Sequence, residues 1–131
     1  MSSGARSVFA VIDGILLFLA LEAVFYAIAL LGLNMSFDTP TPGYLLSNLV
    51  WTVFAAGVAG YMTGKVARHS PVAHGAALAI PFVLLAIFNM LKGLGGRRTP
   101  FVLGWNLLVP LFCIVGAWLY SKHRPRPAKV R

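Results

Sequence analysis

The sequence predicts an all-α integral membrane protein, an antiparallel bundle of four transmembrane helices. Of its 131 residues, 59% are hydrophobic and only 11% are charged, whereas soluble domains carry about 25% charged residues. The apolar residues form four runs, at about 8–33, 44–66, 72–91 and 101–120. Each run has about the 20 residues that cross a hydrocarbon core as a helix. A soluble chain of this size cannot bury so much apolar surface, so one transmembrane domain, 1–131, is predicted.

The ends of the runs also indicate helices. The first run carries Asp13 and Glu22 and is too long for the core of a cleaved signal peptide, so we expect a retained helix. A hydroxyl residue followed by proline, the pattern of an N-cap and a first helical residue, precedes each of the other runs. These pairs are Thr41-Pro42, Ser70-Pro71 and Thr99-Pro100.

The basic residues predict the orientation. Eleven Lys and Arg against three acidic residues give a net charge of +8, and they lie at the ends of apolar runs, which favours membrane topology over nucleic-acid binding. With a cytoplasmic N-terminus, the outer side holds Lys92, Arg97 and Arg98. The cytoplasmic side holds the other basic residues, Arg6, Lys65, Arg68, Lys122, Arg124, Arg126, Lys129 and Arg131. This predicts a cell inner-membrane protein with both termini cytoplasmic and a basic tail, 122–131, on anionic lipid.

Polar residues inside the runs are the candidate sites. From the helical rise, Asp13, Lys65 and His74 lie at one depth near the cytoplasmic side and are expected to form an ionic cluster. An amide layer in the outer third is expected from Asn48, Asn89 and Asn106. Glu22 lies between these two layers, at the depth of Trp51 and Thr52.

Each candidate has a structural and a functional interpretation. Asn side chains in membrane helices commonly hydrogen-bond to neighbouring helices, and Asp13 and Lys65 are close enough to the interface to act as anchors. An acid in the middle of a span is a functional candidate by default. Glu22 is therefore either a neutral carboxyl bonded to a hydroxyl such as that of Thr52 or a titrating site, and the sequence leaves both open.

Small residues predict the packing. Ala56, Gly60 and Gly64 recur every four residues, and Gly75 and Ala79 are also four apart. Such stripes let helix backbones approach closely. We expect the second and third helices to pack together as a tight antiparallel hairpin, or the stripe to contact another protein chain.

No catalytic or cofactor pattern accompanies these features. Cys113 is the single cysteine, the sequence lacks a cysteine–histidine cluster of metal-site spacing, and His74 has no second histidine in a span to share a haem or pigment. We therefore expect no enzyme activity and no cofactor.

The stretch GVAGYMTGKVARHSPVAHGAALA, residues 57–79, resembles a pattern in small uncharacterised four-helix bacterial inner-membrane proteins. There, a glycine-rich helix ends in a basic turn and a His-Gly pair opens the next span. The size, the four spans and the acid in the first helix are also similar in architecture to the small multidrug resistance exporters. These resemblances imply a bacterial inner-membrane protein and assign no activity.

Two functions are therefore expected, in this order. The first is an accessory or assembly subunit of a larger membrane complex, in contact with other membrane subunits or with further copies of itself. The alternative is a small proton-coupled transporter or channel in which Glu22 titrates.

The distribution of basic residues makes the orientation testable. Two reporter enzymes are fused in turn after Arg131, one active only in the cytoplasm and one active only in the periplasm. The cytoplasmic reporter should be the active one, because most Lys and Arg lie on that side. The measurement is the activity ratio of paired cytoplasmic and periplasmic reporters. A periplasmic readout would reverse the orientation and the order of the layers.

Overall fold

The computed structural model describes residues 2–34, 41–92 and 99–126, without the side chains of 99–103. Over these ranges the chain is helical and forms four helices. They are α1, Ser3–Ala27, α2, Pro42–Ala67, α3, Pro71–Leu91, and α4, Thr99–His123, with a π-helical turn, Ile28–Gly32, continuing α1. All four are long and apolar enough to cross a membrane. The predicted all-α class and the number of helices are confirmed.

The first two helices begin at hydroxyl caps. Ser2 accepts a hydrogen bond from the backbone N–H of Ala5 at 3.2 Å, so α1 starts before the apolar run predicted to begin at residue 8. Thr41 accepts from the N–H of Tyr44 at 3.2 Å, and proline follows as the first residue of α2. This cap is the one predicted, because the hydroxyl satisfies an N–H that has no partner within the helix.

The turn between α2 and α3 is built differently. Arg68 and Ser70 both have left-handed backbones, with φ of 63° and 42°. The Ser70 hydroxyl makes no cap. The predicted hydroxyl cap is therefore wrong at Ser70, because a capping residue has an extended backbone, as Thr41 has, and the tight turn gives Ser70 a left-handed one.

Consecutive helices run antiparallel, and around the bundle the helices follow the order α1, α2, α4, α3. The most extensive contact joins α2 to α4, which run parallel, and the next joins α3 to α4. The core is made largely of small side chains, as helix interfaces in membrane proteins are. Fully buried alanines of this core include Ala10, Ala55, Ala56, Ala59, Ala67 and Ala117.

The glycine positions explain this arrangement. A Cβ added at Gly60 would collide with the backbone of Cys113, and one at Gly75 would approach Ala117 and the Cys113 carbonyl, so both glycines face α4. On α4, Gly116 lies against the backbone of Gly57. The predicted tight contact between α2 and α3 is found only at Gly64, whose added Cβ would lie 3.0 Å from the side chain of Pro71, and at Gly60 and Gly75 the close partner is α4. Helix α4 has small residues of its own and makes the most extensive contacts with both α2 and α3.

Two alanine substitutions on α2 test this packing. Gly60→Ala should lower the free energy of unfolding by about 1–3 kcal/mol, the usual cost of overpacking, because its Cβ meets fixed backbone. The matched control is Gly57→Ala, whose own Cβ has nothing within 4 Å and which should leave stability unchanged or slightly higher. The measurement is thermal unfolding in detergent, and equal melting temperatures would contradict the assigned interface.

Candidate functional site

A cavity of about 610 Å³ lies between the four helices, in the half of the bundle far from the α2–α3 turn. Every helix contributes to its wall. The lining residues are Glu22, Ala23, Phe25, Tyr26, Tyr44, Asn48, Leu85, Asn89, Trp105 and Asn106. We call this space the Glu22 cavity. Its size lies in the range of small-molecule sites, and its wall has the usual mixture of aromatic surface and a few polar groups.

The cavity brings together the polar residues that the sequence placed at neighbouring depths. Glu22 comes from α1, Asn48 from α2, Asn89 from α3 and Asn106 from α4. Depth along a helix follows from the helical rise, but only the packing shows that all four side chains face one space. The amides and the carboxyl therefore form one polar site, divided among four helices.

Two of these side chains are buried without a hydrogen-bond partner among the described residues. Asn106 is only 6% exposed, and neither its Oδ1 nor its Nδ2 is bonded. Oε1 of Glu22 is also buried and unbonded. Unpaired buried polar groups are rare because each costs about 1–3 kcal/mol. Their presence in the wall of a cavity is the arrangement expected of groups that bind a ligand.

The carboxyl is positioned by α2. The indole Nε1–H of Trp51 donates to the carbonyl of Leu21 at 2.9 Å, one residue before Glu22. The fully buried Thr52 lies beside Glu22, as its depth predicted, with its hydroxyl close to the carboxyl. The indole bond holds the backbone of α1, and Oε1 of Glu22 is left without a hydrogen bond.

An aromatic cluster lies next to the cavity, one helical turn closer to the α2–α3 turn, and shares Trp105 with the cavity wall. Phe18 packs edge-on against Phe82, with ring centroids 4.7 Å apart, and Trp105 stands 6.4 Å from each. These rings belong to α1, α3 and α4. They separate the cavity from the small-residue half of the bundle and keep the helices apart at this level.

The predicted ionic cluster is not formed. Asp13 and Lys65 are both exposed, and within the described ranges no ion pair joins either of them to the other or to His74. His74 is buried at 9% exposure, and its Nδ1 lies 3.0 Å from the carbonyl of Ser70. Asp13 and Lys65 have the exposure expected of anchors at the ends of a bundle, and His74 supports the turn.

Among the described residues, no group of histidine, cysteine and acidic side chains is placed to hold a metal ion. Cys113 is fully buried, and its backbone packs against Gly60 of α2. Its role is therefore packing. The basic residues Arg97 and Arg98 and the tail segment 127–131 lie outside the described residues.

Sequence reasoning missed the aromatic part of the site. Tyr26, Tyr44 and Trp105 line the cavity, and Trp51 positions Glu22. One signal was present, because these rings lie in the same outer third as the three asparagines. In an apolar run, however, an aromatic residue facing lipid and one facing a cavity look the same.

No protein family, curated protein or solved structure matches this chain. The geometry of the cavity and the surface of the bundle are therefore the observations that bear on function.

Replacing Asn106 tests whether the cavity contains groups that are unpaired. Asn106→Leu should raise the free energy of unfolding of the protein without ligand by about 1 kcal/mol, because a buried amide without partners is replaced by an apolar side chain of similar volume. Asn48→Leu, on the same cavity wall but half-buried, is the matched control and should change stability little. A clear loss of stability in Asn106→Leu would show that its amide is bonded in the folded protein.

Proposed function

We propose that this chain is an integral membrane protein that binds a small organic cation in the Glu22 cavity and couples that binding to release of a proton, as a proton-coupled transporter does. The observation that carries the proposal is the cavity itself, with an intramembrane carboxyl, three amides and three aromatic rings other than phenylalanine converging from four helices.

The distribution of side chains supports the membrane placement. Large apolar side chains are exposed on every helix, among them Leu16 at 60%, Leu46 at 65%, Leu84 at 61% and Leu107 at 71%. The interior instead holds mostly alanine, glycine, cysteine and threonine, with a few larger side chains such as Leu78 and Val109. In water this arrangement would leave a very large apolar surface exposed, whereas in lipid it costs nothing. We place the protein in the inner membrane of a bacterial cell, with both termini cytoplasmic.

The wall of the cavity favours a cationic solute. A carboxyl supplies the charge complement, and the faces of Tyr26, Tyr44 and Trp105 can stabilise a cation by about 0.5–2 kcal/mol each when water is excluded. The amides of Asn48, Asn89 and Asn106 offer both donors and acceptors for the polar groups of a solute. The cavity wall carries no Lys or Arg among the described residues, so nothing there would repel a cation.

Proton coupling follows from the same carboxyl. A charged carboxylate without a cation is costly in apolar surroundings, so the empty cavity favours a Glu22 that keeps its proton. A bound cation favours the carboxylate, so binding and protonation compete for one side chain. Such competition is the elementary requirement for exchanging a solute against protons.

The role of an accessory or assembly subunit stays a prediction, and one observation favours it. The apolar window of α1 is only 17% buried within the bundle, less than that of the other three helices. Its outer face therefore contacts either lipid or another subunit. The small-residue stripe of α2 no longer supports this role, because α4 covers it.

Proton release measures the proposed coupling directly. Adding tetraphenylphosphonium, a lipophilic cation, to the purified protein in weakly buffered detergent should release up to one proton per chain, read with a pH indicator. Glu22→Gln should abolish the release, because an amide cannot titrate. Asp13→Asn removes the other acid of α1, which is exposed and outside the cavity, and should release protons like the unmodified chain.

Two results would contradict the proposal. Release that persists in Glu22→Gln would assign the proton to another group, and release that is lost equally in Asp13→Asn would assign it to surface charge. A protein that instead copurifies in a fixed ratio with a larger complex and shows no proton release would favour the accessory subunit.

A further inference from the structure

We propose that the end of the bundle at the α2–α3 turn holds one anionic phospholipid, with its phosphate among four basic side chains and one acyl chain in a groove between α2 and α4. The inference rests on the proposed membrane placement, but it concerns a site separate from the Glu22 cavity.

The headgroup part is a cavity of about 830 Å³, which we call the basic cavity. Three separate segments of the chain bring a cation to it, because Arg6 comes from the start of α1, Lys65 and Arg68 from the end of α2, and Arg124 from the residue after α4. The other residues that line it are Met62, Val66, Tyr120 and Pro125. No acidic residue of the described chain takes part, so the four positive charges repel one another and favour an anion between them.

A backbone bond organises two of these cations. Nη1 of Arg124 donates to the carbonyl of Arg68 at 3.2 Å, which ties the end of α4 to the α2–α3 turn. Arg68 itself has a left-handed backbone that reverses the chain there. The guanidinium of Arg124 is therefore held beside the backbone of Arg68, and both side chains line the basic cavity. Guanidinium groups bind phosphate through paired hydrogen bonds.

The acyl-chain part is an apolar groove of about 400 Å³ between α2 and α4. It lies where the missing side chain of Gly116 lets α4 meet the backbone of Gly57, so that larger side chains stand as walls on both sides. The residues that line it are Val53, Phe54, Gly57, Val58, Tyr61, Met62, Phe112, Val115, Gly116 and Leu119.

The two spaces are neighbours. Met62 lines both of them, and the rings of Tyr61 in the groove and Tyr120 in the basic cavity pack edge-on at 5.3 Å. A cluster of cations beside an apolar groove matches a molecule with a phosphate at one end and a hydrocarbon chain at the other. A free phosphate ion would use only the first space, and a neutral lipid only the second.

The test uses the full chain in detergent and native mass spectrometry, with dioleoyl phosphatidylglycerol as the probe and dioleoyl phosphatidylcholine as the neutral comparison. One phosphatidylglycerol should bind with clear preference. The double variant Arg6→Gln/Lys65→Gln should weaken binding by about 25-fold, since each cation near an anionic lipid is worth about fivefold in affinity. The matched control is Lys92→Gln/Lys122→Gln, because both lysines lie outside the basic cavity, over the rings of Phe88 and Trp118. It should bind like the unmodified chain.

A groove variant separates the two halves of the site. Val58→Trp should fill the groove and weaken the binding of phosphatidylglycerol at least tenfold, with its melting temperature measured to show that it folds. Leu107→Trp, at a side chain 71% exposed on α4, is the control and should not weaken it.

Several outcomes would overturn the lipid site. They are equal binding of phosphatidylcholine, unchanged binding in Arg6→Gln/Lys65→Gln or in a folded Val58→Trp, and full competition by millimolar inorganic phosphate, which would indicate a phosphate site. Membrane placement is measured separately, by whether the chain stays in carbonate-washed membranes. A chain that stays there without preferring the anionic lipid overturns only the lipid site, and a chain that is washed out overturns the placement.

Discussion

The backbones of α2 and α4 touch where glycine removes the side chain from each of them. The backbone of Cys113 packs against Gly60, and the backbone of Gly57 packs against Gly116. Because these contacts are backbone to backbone, neither helix can rotate or slide without a collision. The register of α2 and α4 then places the other two helices, since α3 packs on α4 through Gly75 and α1 packs on α2.

The bundle is consequently tight in one half and wide in the other. Near the α2–α3 turn the interior holds alanine, glycine and threonine, and Gly14 of α1 lies directly against Thr63 of α2. Beyond the rings of Phe18 and Phe82, larger side chains such as Tyr44 and Trp105 line the Glu22 cavity. One half of the bundle therefore packs through small residues, and the other half contains the cavity.

The two ends of the bundle also differ in charge. The Glu22 cavity has a carboxyl and amides in its wall, and the basic cavity has four cations. We propose a cationic solute for the first and an anionic lipid for the second. The two cavities share α2, whose residues run from Tyr44 at the first to Val66 at the second. Helix α2 is therefore the structural connection between them.

The sequence by itself determined the helices and the depth of each polar residue. The length and apolar character of a run are local properties, and so is the cap at Thr41. The four helices and the start of α2 could therefore be predicted from the sequence alone. Depth followed from the helical rise, which placed Asn48, Asn89 and Asn106 in one layer and Glu22 close to it. Only the tertiary structure decided which faces meet. A stripe of small residues fits any neighbouring helix equally well. The sequence therefore suggested that Gly60 and Gly75 face each other across α2 and α3, whereas both of them face α4. The tertiary structure likewise decided that the three asparagines and several aromatic side chains face one cavity. It also brought basic residues from three segments of the chain together near the turn at Arg68. These outcomes depend on the order of helices around the bundle, which is set by backbone contacts between residues far apart in the chain.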